Sequence, residues 1–237
     1  MKLEALDYAI RAMCGEVADS NRQAISWKKL SEEELLYEVA VCVFSSQMVF
    51  EVAVAAVDRL KQNRLLCVAC MPSDIFHYQS IVRQALEEPL DVVVNSKRRK
   101  LFPRFRNRIS ALLARTVDNI YGGGSSIKEV LKGAYSARNA RELLINAVSG
   151  FGPKQASLYL RRIGYSADLA VLDTHVLDYM KLALGVKPKR SLLSGVSGYE
   201  RLETEFREIA DKFGYSIGCV DLALWITMRV AKREYIL

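Results

Sequence analysis

Helical periodicity runs through almost the whole chain, and the breaks in it are glycines and prolines rather than strands. Leu3, Leu6, Ala9, Ile10, Met13 and Val17 fall on one face of a first helix. Ser31 followed by Glu34 reads as a capping box ahead of "LLYEVAVCVF". Further helices are predicted near 48–62, 73–87, 101–120, 174–184, 198–213 and 216–232. "SARNARELLINAVSG" is predicted to run helical up to its glycine, and "PKQASLYLRRIG" carries proline at its first helical position and glycine beyond its end. Only "DVVVN" at 91–95 reads as a strand, and it is short. The expected fold is all-α, with about ten helices. "KPKRSLLSGVSG" at 187–198 reads as a solvated connection.

Length and composition set the outer limits. The 237 residues suffice for one large domain or two small lobes. With 51% apolar and 26% charged residues, the chain is not disordered, collagen-like or of low complexity. A balance of 34 Lys+Arg against 27 Asp+Glu leaves +7, which points towards an anionic partner. The acid-bearing N-terminus has no signal-peptide core, and the run from Val39 to Phe50 is too short to span a bilayer. A cytoplasmic protein, nucleoid-associated in a prokaryote, and away from membranes, is therefore expected. Five irregularly spaced cysteines argue against a disulfide framework. The apolar setting of the Cys67-Val-Ala-Cys70 pair, "LLCVACM", favours buried core thiols over a zinc or redox site. His77 and His175 make no ligand-spaced pair, so no metal and no other cofactor is expected.

The chemistry concentrates in "AVSGFGPKQASLYLRRIG", 147–164. Gly150-Phe151-Gly152 joins two helices by a turn tight enough to need positive φ. Without a Cβ there, a phosphate can approach the backbone N–H groups at the start of the second helix, where the helix dipole also favours an anion. An apolar residue, Gly-x-Gly and a following Ala form the helix-hairpin-helix signature of sequence-independent DNA backbone binding. An ordinary glycine-turned helix pair is the bland alternative.

Lys154 lies two residues past Gly152, and nineteen residues further comes Asp173 in "VLDTHV". Together these residues resemble the helix-hairpin-helix base-excision DNA glycosylases, the superfamily that includes endonuclease III. "LYEVAVCVFSSQ", "FPRFRNRISALLART" and "CVDLALWITMRVAKREYIL" extend the similarity to the type-2 and archaeal 8-oxoguanine branches, over residues 35–237. The iron–sulfur branch carries four closely spaced C-terminal cysteines, and this chain has only Cys219 there. Two features depart from the type-2 enzymes. The chain continues twelve residues past Trp225 to end in "EYIL", and the first thirty residues have no clear counterpart.

The resemblance implies a bifunctional DNA glycosylase and AP lyase that removes 8-oxoguanine from double-stranded DNA as a monomer. Lys154 and Asp173 are then the catalytic pair. A lysine near a helix N-terminus in a partly buried cleft is disfavoured as the ammonium, which suits an imine-forming nucleophile. Asp173 can cap its helix and still stabilise positive charge developing at C1′. His175 is assigned a structural or phosphate-adjacent role. A base must leave the stack to react, and Gln47, ahead of Ser46 or Met48, is the candidate to fill the gap. Asp221 and Trp225 share a helix face at i and i+4, where an acid and an indole suit a purine. Phe151 either packs in the hairpin or faces the cleft.

Seven of the twelve residues from Lys97 to Arg108 are basic, with Phe102 and Phe105 between them. Arg104, Arg106 and Arg108 are expected to bind phosphates, as are Gly150 and Gly152 through their backbone. The expected organisation is a bundle lobe at 31–148 and a second lobe of 1–30 plus 149–237, with the hairpin (143–164) and Asp173 facing the cleft between them. A different damaged base, or a non-catalytic helix-hairpin-helix module, are the alternatives.

Overall fold

The computed structural model describes residues 3–22, 26–94, 97–185 and 189–234. Among these residues the chain is all-α apart from one two-stranded sheet. The helices are α1 (Leu3–Arg22), α2 (Glu32–Ser45), α3 (Phe50–Gln62), α4 (Ile75–Ala85), α5 (Arg106–Tyr121), α6 (Ile127–Lys132), α7 (Ala137–Ala147), α8 (Pro153–Arg162), α9 (Thr174–Leu184), α10 (Val196–Asp211) and α11 (Ile217–Glu234). Strands β1 (Leu90–Val94) and β2 (Lys97–Leu101) form an antiparallel pair. Short 3-10 turns occupy Trp27–Lys29, Val68–Cys70 and Arg190–Ser194. No helix among the described residues is long and apolar enough to cross a membrane.

The chain forms two compact units, Trp27–Phe151 and the pair of segments Met1–Ser26 and Gly152–Leu237. In the first, α2 is the central helix. Leu35, Leu36 and every residue from Val39 to Phe44 are buried, so it is apolar on all sides, as only an enclosed helix can be. Its start carries the full capping box, with the Ser31 hydroxyl accepting from Glu34 N–H and the Glu34 carboxylate accepting from Ser31 N–H. The neighbouring Glu32 accepts from the N–H of Ile127 at the start of α6 and from the Tyr121 hydroxyl on α5.

The small sheet changes the expected layout of the basic run. Leu90 pairs with Leu101, Val92 with Arg99 and Val94 with Lys97. Lys97 to Leu101 form a strand, because the apolar run of β1 supplies a backbone partner, and the helix expected over 101–120 starts only at Arg106. Leu90 and Val92 are buried while Lys97 to Lys100 are exposed. Helix α5 begins only after Phe105, which adopts a left-handed conformation at φ 56°.

In the second unit, α1 packs along α11 and a shared core joins them to α9 and α10. Of the stripe that its periodicity predicts, Leu6, Ile10 and Val17 are buried and Met13 packs against them, with Cys14 added, whereas Leu3 and Ala9 are exposed. The Arg11 guanidinium donates to the Lys212 and Phe213 carbonyls and lies over the Phe213 ring. Lys187 and Pro188, which open the predicted connection, lie outside the described residues. Further along it, Leu192 and Leu193 pack against the core, so it is less solvated than expected. Asn95 and the last three residues of the tail also lie outside the described residues.

Candidate active site

Helix α8 starts without a cap. Helix α7 closes at Val148, one residue earlier than a glycine at C′ implies, and the Phe151 N–H returns to the Val148 carbonyl. Gly150 has φ +90°, and a Cβ there would stand 3.0 Å from Leu112 Cδ1, so both conformation and space require glycine. Gly152 is the N-cap and offers no side chain, and a Cβ built on it meets nothing within 4 Å. Pro153 at the first helical position has no N–H to satisfy. Lys154 follows, half-buried, and its ammonium makes no ion pair among the described residues. The amides of Lys154 and Gln155 thus head a helix with an open, electropositive end.

Helix α9 starts in the opposite way. Asp173 is its N-cap, and a single carboxylate oxygen, Oδ1, accepts from the N–H groups of His175 at 2.8 Å and Val176 at 3.0 Å. Neither bond uses Oδ2. His175 serves this cap through its backbone.

The extended segment leading into Asp173 is held by side chains instead of a neighbouring strand. Ala170 N–H donates to Glu203 Oε1 at 2.8 Å, Val171 N–H to Asp221 Oδ2 at 2.7 Å and Leu172 N–H to the Tyr199 hydroxyl at 2.9 Å. The same hydroxyl donates to the Ala170 carbonyl. Glu203 and Tyr199 come from α10 and Asp221 from α11, and all three are buried. Backbone groups removed from water need partners, and here each is matched individually.

Asp221 reaches further than this segment. Its Oδ1 is ion-paired with Arg161, near the end of α8, whose guanidinium also donates to the Gly218 carbonyl. Gly218 in turn donates to the Ala167 carbonyl, and a Cβ at that glycine would meet Ala167 O at 2.8 Å. Arg161 lies two turns beyond Lys154 on the same helix face. One carboxylate therefore ties the helix that carries Lys154 to the segment that carries Asp173. Burial pushes the Asp221 carboxyl up to about 6, against the lowering pull of Arg161 and the Val171 N–H.

This geometry corrects one expected role. Asp221 was expected to accept N–H groups of a purine. It is 1% exposed and both its oxygens are occupied, so it positions the site from behind. Trp225, one turn on, is half-buried, and the Arg229 guanidinium lies over its ring, 5.0 Å from the centroid. Phe151 is buried.

The remaining candidates lie in the first unit. Gln47 sits in the turn after α2, its backbone N–H on the Phe44 carbonyl and its side-chain amide on Ser46 Oγ. Arg104 and Arg108 are exposed. Arg104 lies over the Phe105 ring, while Arg106 is half-buried and donates to the Glu87 carbonyl. Phe102 and Phe105 are largely exposed among these cations. Arg161, Tyr199, Glu203 and Gly218 were missed from sequence. Glu203 did leave a trace, because it falls on the apolar stripe of α10 with Tyr199, Leu202 and Phe206, where an acid has to be paired.

No three His, Cys, Asp or Glu residues among the described ones are grouped to hold a metal ion. The glycine turn between α7 and α8, in an all-α chain with one small sheet, defines a helix-hairpin-helix protein.

Known proteins narrow the class. The family described as 8-oxoguanine DNA glycosylase matches residues 19–215. A Saccharolobus solfataricus protein named 8-oxoguanine DNA glycosylase/AP lyase is 28% identical over 201 residues, covering 83% of each chain. The crystal structure of the 8-oxoguanine DNA glycosylase of Thermotoga maritima superposes with a TM-score of 0.66, at 23% identity, over 94% of this chain and 95% of that one. The Methanocaldococcus jannaschii 8-oxoguanine glycosylase/lyase, crystallised with a 15mer DNA containing 8-oxoguanine, gives 0.65 at 19% identity, over 89% and 88%. This chain belongs to the 8-oxoguanine DNA glycosylase family.

Proposed function

We propose that this chain excises 8-oxoguanine from double-stranded DNA and then cleaves the strand, with Lys154 as nucleophile and Asp173 as its carboxylate partner. The observation that supports the reading is the tie that Asp221 makes between α8, the helix of Lys154, through Arg161, and the segment that leads into Asp173. The DNA backbone docks on the open end of α8 through the amides of Lys154 and Gln155. The Lys154 amine attacks C1′ of the extruded nucleotide, forming a C–N bond as the glycosidic bond breaks and the base leaves with a proton. Asp173 stabilises the positive charge at C1′ and relays protons. Ring opening gives the Schiff base. Loss of a C2′ proton then expels the 3′ phosphate, and hydrolysis of the imine frees the lysine.

Family membership supports the choice of 8-oxoguanine, since the buried Asp221 no longer offers a purine acceptor. Borohydride trapping tests both halves of the reading. The protein is mixed with an 8-oxoguanine duplex, an abasic duplex and an undamaged duplex. A covalent adduct is expected with the first two, and K154Q should lower it at least about a thousandfold. An adduct with abasic DNA alone keeps the lyase and moves the search to other damaged bases. Folded protein that binds DNA and traps neither substrate overturns the lysine mechanism and leaves a binding module.

A further inference from the structure

The Cys67–Cys70 pair lies outside the chemistry described above, and the structure contradicts the expectation that these are core thiols. Cys70 is exposed and Cys67 half-exposed, whereas Cys14, Cys42 and Cys219 are buried. In "LLCVACM" only Leu66 is buried, because the chain leaves helical periodicity there. Arg64, just past the end of α3, is left-handed at φ 58°, with its N–H on the Lys61 carbonyl and the Leu65 N–H on that of Leu60. A non-glycine residue at positive φ is uncommon. Here it leads into the 3-10 turn, closed by the Cys70 N–H on the Cys67 carbonyl at 2.9 Å. Such a turn keeps its end Cα atoms within about 7 Å, the range that a disulfide spans.

The side chains are already paired. Cys67 Sγ donates to Cys70 Sγ at 2.9 Å, and Arg64 Nη2 lies 3.5 Å from the same Cys70 sulfur. Hydrogen bonding to Cys70, and then to Glu33, raises the Cys67 thiol and keeps it a donor. Beside Cys67 opens a surface depression of about 350 Å³, with Glu33 and Glu34 on its wall as well as Lys61 and Arg64. Charges of both signs suit a small molecule that carries both carboxylate and ammonium groups.

We propose that Cys67 and Cys70 form a redox-active dithiol that exchanges with low-molecular-weight disulfides of amino-acid type. The Cys70 thiolate, with Arg64 and the Cys67 thiol beside it, attacks one sulfur of the small disulfide and releases one small thiol. Cys67 then loses its proton to solvent and attacks Cys70 Sγ, releasing the second. Two electrons pass from the protein dithiol to the small disulfide, and the protein keeps an intramolecular bridge.

The test equilibrates the full chain against graded ratios of reduced to oxidised glutathione, followed by acid quench, alkylation and peptide mapping. The expected result is a Cys67–Cys70 bridge, with Cys14, Cys42 and Cys219 still alkylated after denaturation. C67S should stop at a mixed disulfide on Cys70. C70S should form no bridge and react at least about tenfold more slowly. Circular dichroism of both variants verifies that they fold. Thiols that stay reduced at the most oxidising ratio, or that yield only bridges between chains, overturn the proposal.

Discussion

The capping residues of α8 and α9, Gly152 and Asp173, belong to one short stretch of chain and solve opposite problems. At α8 the capping position is a bare glycine, the next residue has no N–H, and a side chain added at the cap would meet open space. At α9 the cap is a carboxylate that takes two amides, and the three residues before it have their N–H groups bonded to buried side chains. An end left open for an anion, as proposed for α8, gives up the stability of a cap. An end that must hold an anion in place gains stability from it and then needs a polar frame behind it. The comparison teaches that helix termini differ in function through what fills the cap, with the same dipole behind both.

Several substitutions sharpen or break this contrast. Beyond K154Q, the largest effect is expected from D173N. Asparagine still caps, so the melting temperature should hardly move while excision falls by about a hundredfold or more. A parallel drop in melting temperature would mean that Asp173 matters mainly as a cap. Next comes the buried carboxylate behind the site. Asp221 has its folded value raised to about 6 from 3.8. The folded state therefore holds this proton more tightly than the unfolded chain. The stability it contributes is present below about pH 4 and lost as pH rises through 6. Unfolding free energies of the natural chain and D221N, compared between pH 4 and 6.5, should diverge by roughly 2–3 kcal/mol over that window. Parallel curves would show that Arg161 compensates the burial fully.

Y199F deletes a hydroxyl that both accepts from Leu172 and donates to Ala170. A loss of about 1–3 kcal/mol is expected for those stranded groups, together with slower excision at unchanged DNA affinity. The smallest effect is the most direct test. G152D closes the open end of α8 at an unstrained φ of −113°. Thermal stability should rise by about 1 kcal/mol or less while duplex affinity falls, because the new carboxylate occupies the place of a phosphate. Tighter DNA binding by G152D would remove the open end of α8 from the DNA interface.

What the sequence revealed follows from how local each signal is. The Ser31–Glu34 box and the start of α8 at Pro153 depend on residues within one turn, and they read directly. Lys97 to Leu101 carried no alternation, and their strand exists because β1 lies opposite, which charge counting does not show. The cysteine pair looked like core because apolar composition was visible while the left-handed turn at Arg64 was not. Asp221 looked like a ligand group because its partner Arg161 lies sixty residues earlier. The residues proposed for catalysis, Lys154 and Asp173, stood out through the resemblance that their segments bear to the glycosylase family. Three of the groups that hold Asp173 in place, Tyr199, Glu203 and Asp221, come from helices that follow it and were legible only as polar residues on apolar faces.

That last arrangement bears on how the protein is made. Synthesis runs from the N-terminus, and Lys154 and Asp173 leave the ribosome well before Glu203 and Asp221 do. Until α10 and α11 have emerged and docked, the segment ahead of Asp173 lacks the acceptors for its amides. The segment that leads into Asp173 is therefore among the last parts of the growing polypeptide to gain all its hydrogen-bond partners.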